Sequence, residues 1–269
     1  MKASRLQLFR NRLLNGLAAV GLILFSGIAQ ANLLSEIEQR GTLRIAVPQD
    51  FPPFGSAGPD MKHQGYDIDV ANYLANSLQL KLELIPVASA DRIPSLQMGI
   101  VDLVISSLGK NAEREKAISF SHAYAPSFLA VFGPPEMSIS SPADLDGRVI
   151  GVTRDAVEDI ELKKVAPSSV TIRRYDDNNS TLSAYLSGHV PLIATGNLVA
   201  TELAEHNPEQ IPEVKFILLE SPCYIGMKKG EFELQEKVNA LIAKALADGS
   251  LNQASNTWFK APLPEGFGS

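Results

Sequence analysis

The run Val101-Asp102-Leu103-Val104-Ile105-Ser106-Ser107-Leu108-Gly109-Lys110-Asn111-Ala112-Glu113-Arg114 gathers residue types that can hold an anion. Residues 103–105 form a short apolar run of the kind buried in a parallel sheet. The run stops at two hydroxyls, Ser106 and Ser107, with Gly109 just beyond. Asn111, followed by Glu113 and Arg114, has the pattern of a helix start. Ligands of open α/β sheets sit beyond the carboxyl ends of strands, where backbone N–H groups and small side chains are free. The guanidinium of Arg114 is a planar fork that can grip a carboxylate through two parallel hydrogen bonds. Hydroxyls, N–H donors and a guanidinium at one strand end therefore describe a carboxylate site. The same spacing also fits a plain strand, a turn and a surface arginine beside Glu113.

A second chemical stretch precedes it. Pro48-Gln49-Asp50-Phe51-Pro52-Pro53-Phe54-Gly55 holds three prolines and two aromatics. Aromatics stiffened by proline can wall a pocket or simply pack over the end of a sheet.

The elements that must position these stretches alternate. Residues 43–47 read as a strand stopped by Pro48, and Asp67 opens a helix with the stripe Ile68, Ala71, Tyr73, Leu74, Leu78. Residues 80–86 read as a strand, and residues 93–98 as a short helix ended by Gly99. The pattern then restarts. Strands are expected at 128–132, 148–152, 170–175, 192–195, 214–219 and 224–227, with helices at 156–165, 181–186 and 198–205. Residues 232–247 form the longest amphipathic stretch, with Phe232, Leu234, Val238, Leu241, Ile242, Ala245 and Leu246 apolar. Strand and helix patterns alternating at this length mean βαβ units and a mostly parallel sheet, an α/β fold.

Residues 1–31 read as a signal peptide: a basic start (Lys2, Arg5, Arg10, Arg12), an apolar run over 13–28, and Ala29-Gln30-Ala31 before the cleavage point. The run is short for a membrane span of roughly 20 residues, and no cysteine follows the cleavage point to carry a lipid. An exported protein beginning near Asn32 is expected. Four of the 24 basic residues and none of the 30 acids lie in that segment, so the remainder carries 20 bases against 30 acids, a net −10. That balance argues against nucleic acid or an anionic membrane as partner. The single cysteine, Cys223, excludes an internal disulfide. The four histidines do not cluster, so no metal and no cofactor are expected.

Gly65-Tyr66-Asp67-Ile68-Asp69-Val70-Ala71 resembles the signature of the family 3 extracellular solute-binding proteins, which serve polar amino-acid ABC importers. Arg92-Ile93-Pro94-Ser95-Leu96, the Val101–Arg114 stretch, Asp144-Leu145-Asp146-Gly147-Arg148-Val149-Ile150-Gly151-Val152 and Tyr224-Ile225-Gly226-Met227-Lys228-Lys229-Gly230 continue the resemblance. It implies a type II periplasmic-binding-protein fold: two α/β lobes, 32–132 plus 226–269 and 133–225, joined by two hinge crossings that close on a ligand. By the same resemblance Arg114 would bind an α-carboxylate with Ser106, Ser107 and Gly109, and Phe51 would cover the ligand side chain. The family's acid for the α-amino group falls on Gly196, beside Thr195, so the usual anchor is missing. In the loop holding Thr153 and Asp155, Asp155 is the candidate replacement; it would equally serve as the N-cap ahead of Ala156, and a ligand without an α-amino group would need no acid.

The resemblance implies a monomeric periplasmic subunit that hands an amino acid or small carboxylate to a membrane ABC permease, and no catalysis. Two alternatives stand beside it: an exported enzyme of the cyclohexadienyl-dehydratase kind, which would need an acid or base beside the clamp, and a sensory protein presenting its ligand to a separate receptor.

Overall fold

The computed structural model describes residues 32–268; the expected signal peptide lies outside them. Helix α1 (Leu33–Arg40) leads into β1 (Thr42–Pro48), followed by three short strands, β2 (Asp50–Phe51), β3 (Gly55–Ala57) and β4 (His63–Gln64). Helix α2 (Tyr66–Leu78), β5 (Lys81–Val87), a 3₁₀ turn at Ser89–Asp91, α3 (Arg92–Gln97), β6 (Leu103–Val104), α4 (Ala112–Ala117) and β7 (Ile118–Ala125) complete the first round. The second holds β8 (Phe128–Gly133), β9 (Val149–Thr153), α5 (Val157–Val165), β10 (Thr171–Tyr175), α6 (Asn178–Leu186), β11 (Ile193–Gly196), α7 (Asn197–His206) and β12 (Glu213–Glu220). The chain then returns through β13 (Cys223–Lys228), α8 (Phe232–Ala247) and α9 (Ser250–Trp258).

Two five-stranded sheets result. The first has the order β5-β1-β6-β13-β7, with β1 parallel to β5 and β6. The second has the order β10-β9-β11-β8-β12, with β9 parallel to β10 and β11. β1 is covered on both faces: Leu43, Ile45, Ala46 and Val47 are all fully buried, which accounts for its continuous apolar run. On β8 the pleat separates Ala130 and Phe132, which pack with Ala184, Tyr185 and Leu203, from Val131, which packs with Ile150, Val152 and Leu162 on the other face. Helix α8 buries Leu234, Val238, Leu241, Ile242 and Ala245. Phe232, expected in that stripe, is exposed, because it opens the helix on the side away from Leu234 and Val238.

The chain passes between the sheets twice, at Pro126-Ser127 and at Ser221-Pro222. These points correct the expected boundaries near residues 132 and 225. Residues 128–132 hydrogen-bond in the second sheet, against β11 and β12, and residues 223–225 belong to β13 of the first. The break at Gly133-Pro134-Pro135 ends a strand, whereas the change of sheet occurs at shorter segments, each with one proline that fixes φ and offers no N–H.

Two features fix the first sheet, Gly65 at its carboxyl end and Asp102 at its amino end. Gly65 has φ 138°, and a Cβ there would sit 2.3 Å from the Phe54 carbonyl oxygen, so only glycine fits where α2 begins. Asp102, fully buried, accepts from the Arg44 backbone N–H and pairs with Arg40 at 2.5 Å and Arg44 at 2.8 Å, pinning the start of β6.

Candidate ligand-binding site

Beyond Val104 the chain turns at Ser106-Ser107, and Ser107 takes φ 40°, a strained left-handed conformation for a residue with a side chain. Asp67, in the first turn of α2, holds that turn: its carboxylate accepts from the Ser107 N–H at 2.7 Å and from the Tyr124 hydroxyl at 2.6 Å. The aspartate of the glycine–aspartate signature is thus a buried support for the turn. Burial drives its carboxyl up to about 7, although both hydrogen bonds act to lower it.

Asn111 caps α4 as expected, its side chain accepting from the Arg114 N–H at 2.9 Å. That cap fixes where Arg114 starts. Its guanidinium donates to the Gly109 carbonyl at 2.9 Å and to the Asp155 carbonyl of the other lobe at 3.1 Å. Burial, and next the neighbouring Arg92, push its pKa down to about 10, so it is charged at neutral pH.

A small cavity of about 20 Å³ lies between the sheets, room for about one water. Of the residues singled out in the sequence, Phe51, Ser107, Gly109, Arg114 and Gly196 line it. Ser106, Thr153, Asp155 and Thr195 do not. Thr153 is hydrogen-bonded to Thr181. Asp155 sits at φ 57° with its side chain exposed, and only its carbonyl reaches Arg114. It is not the helix cap either: Ala156 occupies that position in α5. Phe51 serves two ends, facing the cavity while stacking on Phe54 at 6.0 Å within the core.

Sequence reasoning missed Arg92 and Glu158, which face the same cavity from opposite lobes. Arg92 is 4% exposed and its Nε has no hydrogen-bond partner. Glu158, in the first turn of α5, is 7% exposed; burial raises its pKa while Arg92 and Arg114 oppose the rise. Its neighbour Asp159 is committed to Arg174 at 2.9 Å. Among the described residues neither Arg92, Arg114 nor Glu158 forms an ion pair within 4 Å. Ser89, Ser106 and Ser107 each bury a hydroxyl without a partner. Buried charges and hydroxyls left unpaired by the protein are costly; Arg92, Arg114, Glu158, Ser89 and Ser107 converge on this cavity, and Ser106 lies outside its wall. A larger hollow of about 630 Å³, near Pro52, Leu203 and Trp258, has its ionisable side chains on half-buried Glu202 and exposed Glu205, His206 and Lys260, and lacks such convergence.

The family model for bacterial extracellular solute-binding proteins, family 3, matches residues 43–261. The L-cystine-binding protein TcyJ of Escherichia coli (strain K12) is 27% identical over 255 residues, 93% of this chain and 96% of that one. An ancestral arginine-binding protein bound to arginine superposes with a TM-score of 0.76 at 32% identity, covering 82% of this chain and 99% of that one. The ancestral amino acid-binding protein AncCDT-1, a precursor of cyclohexadienyl dehydratase, does so with a TM-score of 0.76 at 27% identity, covering 85% and 100%.

Proposed function

Because the chain belongs to the bacterial extracellular solute-binding proteins, family 3, and has their type II periplasmic-binding-protein fold, we propose that it is the periplasmic substrate-binding subunit of an ABC importer for an amino acid. It would be exported by the segment 1–31, act as a monomer and deliver its ligand to a membrane permease. The observation that carries this reading is that the buried Arg114 of one lobe and the buried Glu158 of the other line one cavity. Arg114 takes the α-carboxylate, with the Ser107 hydroxyl beside it. Glu158 takes the α-ammonium that the glycine at 196 cannot. One zwitterion then bridges both lobes, and its binding favours closure about Pro126-Ser127 and Ser221-Pro222. The relatives' named ligands, cystine and arginine, support an amino acid as the cargo.

The test is calorimetry with a panel of L-amino acids, on protein denatured, dialysed and refolded to remove co-purified ligand. At least one should bind saturably. Arg114→Ala should weaken it by about 2–5 kcal/mol, and Arg114→Lys should recover only part of the loss, since a point charge cannot copy the fork. Equal affinities for wild type and R114A would remove Arg114 from the site.

Glu158 also supports a second reading. A buried carboxyl with a raised pKa beside two arginines could donate a proton as well as accept an ammonium. Steady turnover of prephenate, abolished by Glu158→Gln, would favour an enzyme over a carrier.

A further inference from the structure

We propose that the cleft selects an amino acid with a second anionic group, an acidic amino acid of net charge −1, and that Arg92 is the residue that makes the selection. This rests on the amino-acid reading above and narrows it to one charge class.

The argument begins with a count of buried charge. Arg92 and Arg114 bring two cations into the cavity wall and Glu158 brings one anion. A neutral zwitterion would satisfy Arg114 and Glu158 and leave the buried Arg92 without a paired counter-charge, an expensive outcome. A dibasic ligand would add a second cation against Arg92. A ligand with two carboxylates and one ammonium leaves no charge unmatched.

Among the described residues, Arg92 feels the buried acids Glu158 and Asp67 only from beyond ion-pair distance. Its Nε lacks a hydrogen-bond partner, and among the described residues no carboxylate pairs with it within 4 Å. Asp67 is the other buried acid that acts on Arg92, but its two oxygens are taken by the Ser107 N–H and the Tyr124 hydroxyl. Ser89, in the 3₁₀ turn that runs into Arg92, lines the same wall and buries an unpartnered hydroxyl. Guanidinium and hydroxyl on one turn form a donor set for an anion, separate from the set that Arg114 makes with Ser107. Arg92 also opens α3, an end of a helix where a cation is electrostatically disfavoured. Its burial there is explained by an anion and not by the helix.

The experiment is calorimetry on the refolded protein with L-glutamate and L-aspartate against L-glutamine and L-asparagine, with L-arginine and L-cystine as further arms. Wild type should bind one of the acids about 100-fold more tightly than its amide, the scale set by an unpaired buried charge. Arg92→Gln should lose that preference by weakening the acid about 100-fold while changing the amide only a few-fold. Arg92→Lys should keep part of it. An amide, arginine or cystine that equals or beats both acids on wild type overturns the proposal and leaves the amino-acid reading intact, and this arm holds even if R92Q fails to fold. Equal weakening of acid and amide by R92Q makes Arg92 architectural and also overturns it. If no amino acid binds wild type, the parent reading falls and takes the proposal with it.

Discussion

At the scale of single residues, Glu158 brings to the cavity wall the carboxylate that Gly196 lacks. A lobe-2 acid expected after β11 is replaced by glycine, and a carboxylate reaches the cavity from the first turn of α5 instead. A side chain at 196 is sterically open, because a Cβ on Gly196 would meet nothing closer than Ser127 Oγ at 3.8 Å and Leu129 Cδ2 at 3.9 Å. Gly109 differs: a Cβ there would press on Val157 at 3.2 Å and Ser221 at 3.3 Å, so the glycine lets the other lobe approach. We expect Glu158→Gln to weaken an amino acid by about 2–4 kcal/mol while leaving its des-amino analogue nearly unchanged. Adding Gly196→Asp should restore part of the loss for the amino acid alone. Calorimetry on the single and double variants decides this, and equal losses for both ligands would remove Glu158 from the ammonium site.

At the scale of elements, the site rests on helix α2 packing beneath the turn after β6. Asp67 is the tie between them, and its raised pKa makes that tie depend on pH. The folded protein holds a proton up to about pH 7, whereas the group's ordinary value is 3.8. The folded state therefore binds more protons between those limits, and stability falls as pH rises from about 4 to 7, by at most about 1.4 kcal/mol per pH unit. Asp67→Asn removes the titration. The unfolding free energy of D67N relative to wild type should rise from pH 5 to pH 7 by about 1–2 kcal/mol; a difference that is flat with pH in urea titrations would refute the assignment. Much of this element scale was legible in the chain: the apolar runs of β1 and β6, the Asn111 cap, and the serine–glycine turn before Arg114. β7 was not, because Ser119, Ser121 and His122 interrupt its apolar positions and Ser121 instead bonds across to Ile225. Glu158 was hidden because an acidic residue in a helix's first turn already has a local reason to be there. The first expected crossing, near residue 132, fell one strand late because a glycine–proline break marks the end of a strand as readily as a change of sheet.

For the whole molecule the issue is what holds the lobes shut besides a ligand. Among the described residues, and apart from the Lys110 N–H to Ser221 at the crossing itself, three hydrogen bonds join them: Arg114 to the Asp155 carbonyl at 3.1 Å, the Asn111 side chain to Glu161 at 2.9 Å, and the Asn179 N–H to Asp50 at 3.3 Å. The first belongs to the site itself, and the third joins an exposed edge. The second is outside the cavity wall, so it can bias closure without touching cargo. A contact made only in the closed state adds its free energy to apparent affinity, since binding is weakened by whatever fraction of molecules is not competent. A hydrogen bond to a charged acceptor contributes about 1.5–3 kcal/mol at most, and solvent access at Glu161 reduces that. We therefore expect Glu161→Ala to weaken ligand binding about 3–10-fold, mainly through faster release, with little change in the melting temperature of the ligand-free protein. Glu161→Gln keeps an acceptor for Asn111 and should retain most of the affinity; an equal loss in E161Q would instead point to the influence of the Glu161 charge on Arg114. Small-angle X-ray scattering supplies the matching readout: ligand should shrink the radius of gyration of wild type, and E161A should need more ligand to reach the same compact state. If E161A matches wild type in affinity and compaction, the Asn111–Glu161 contact follows closure without helping to set it.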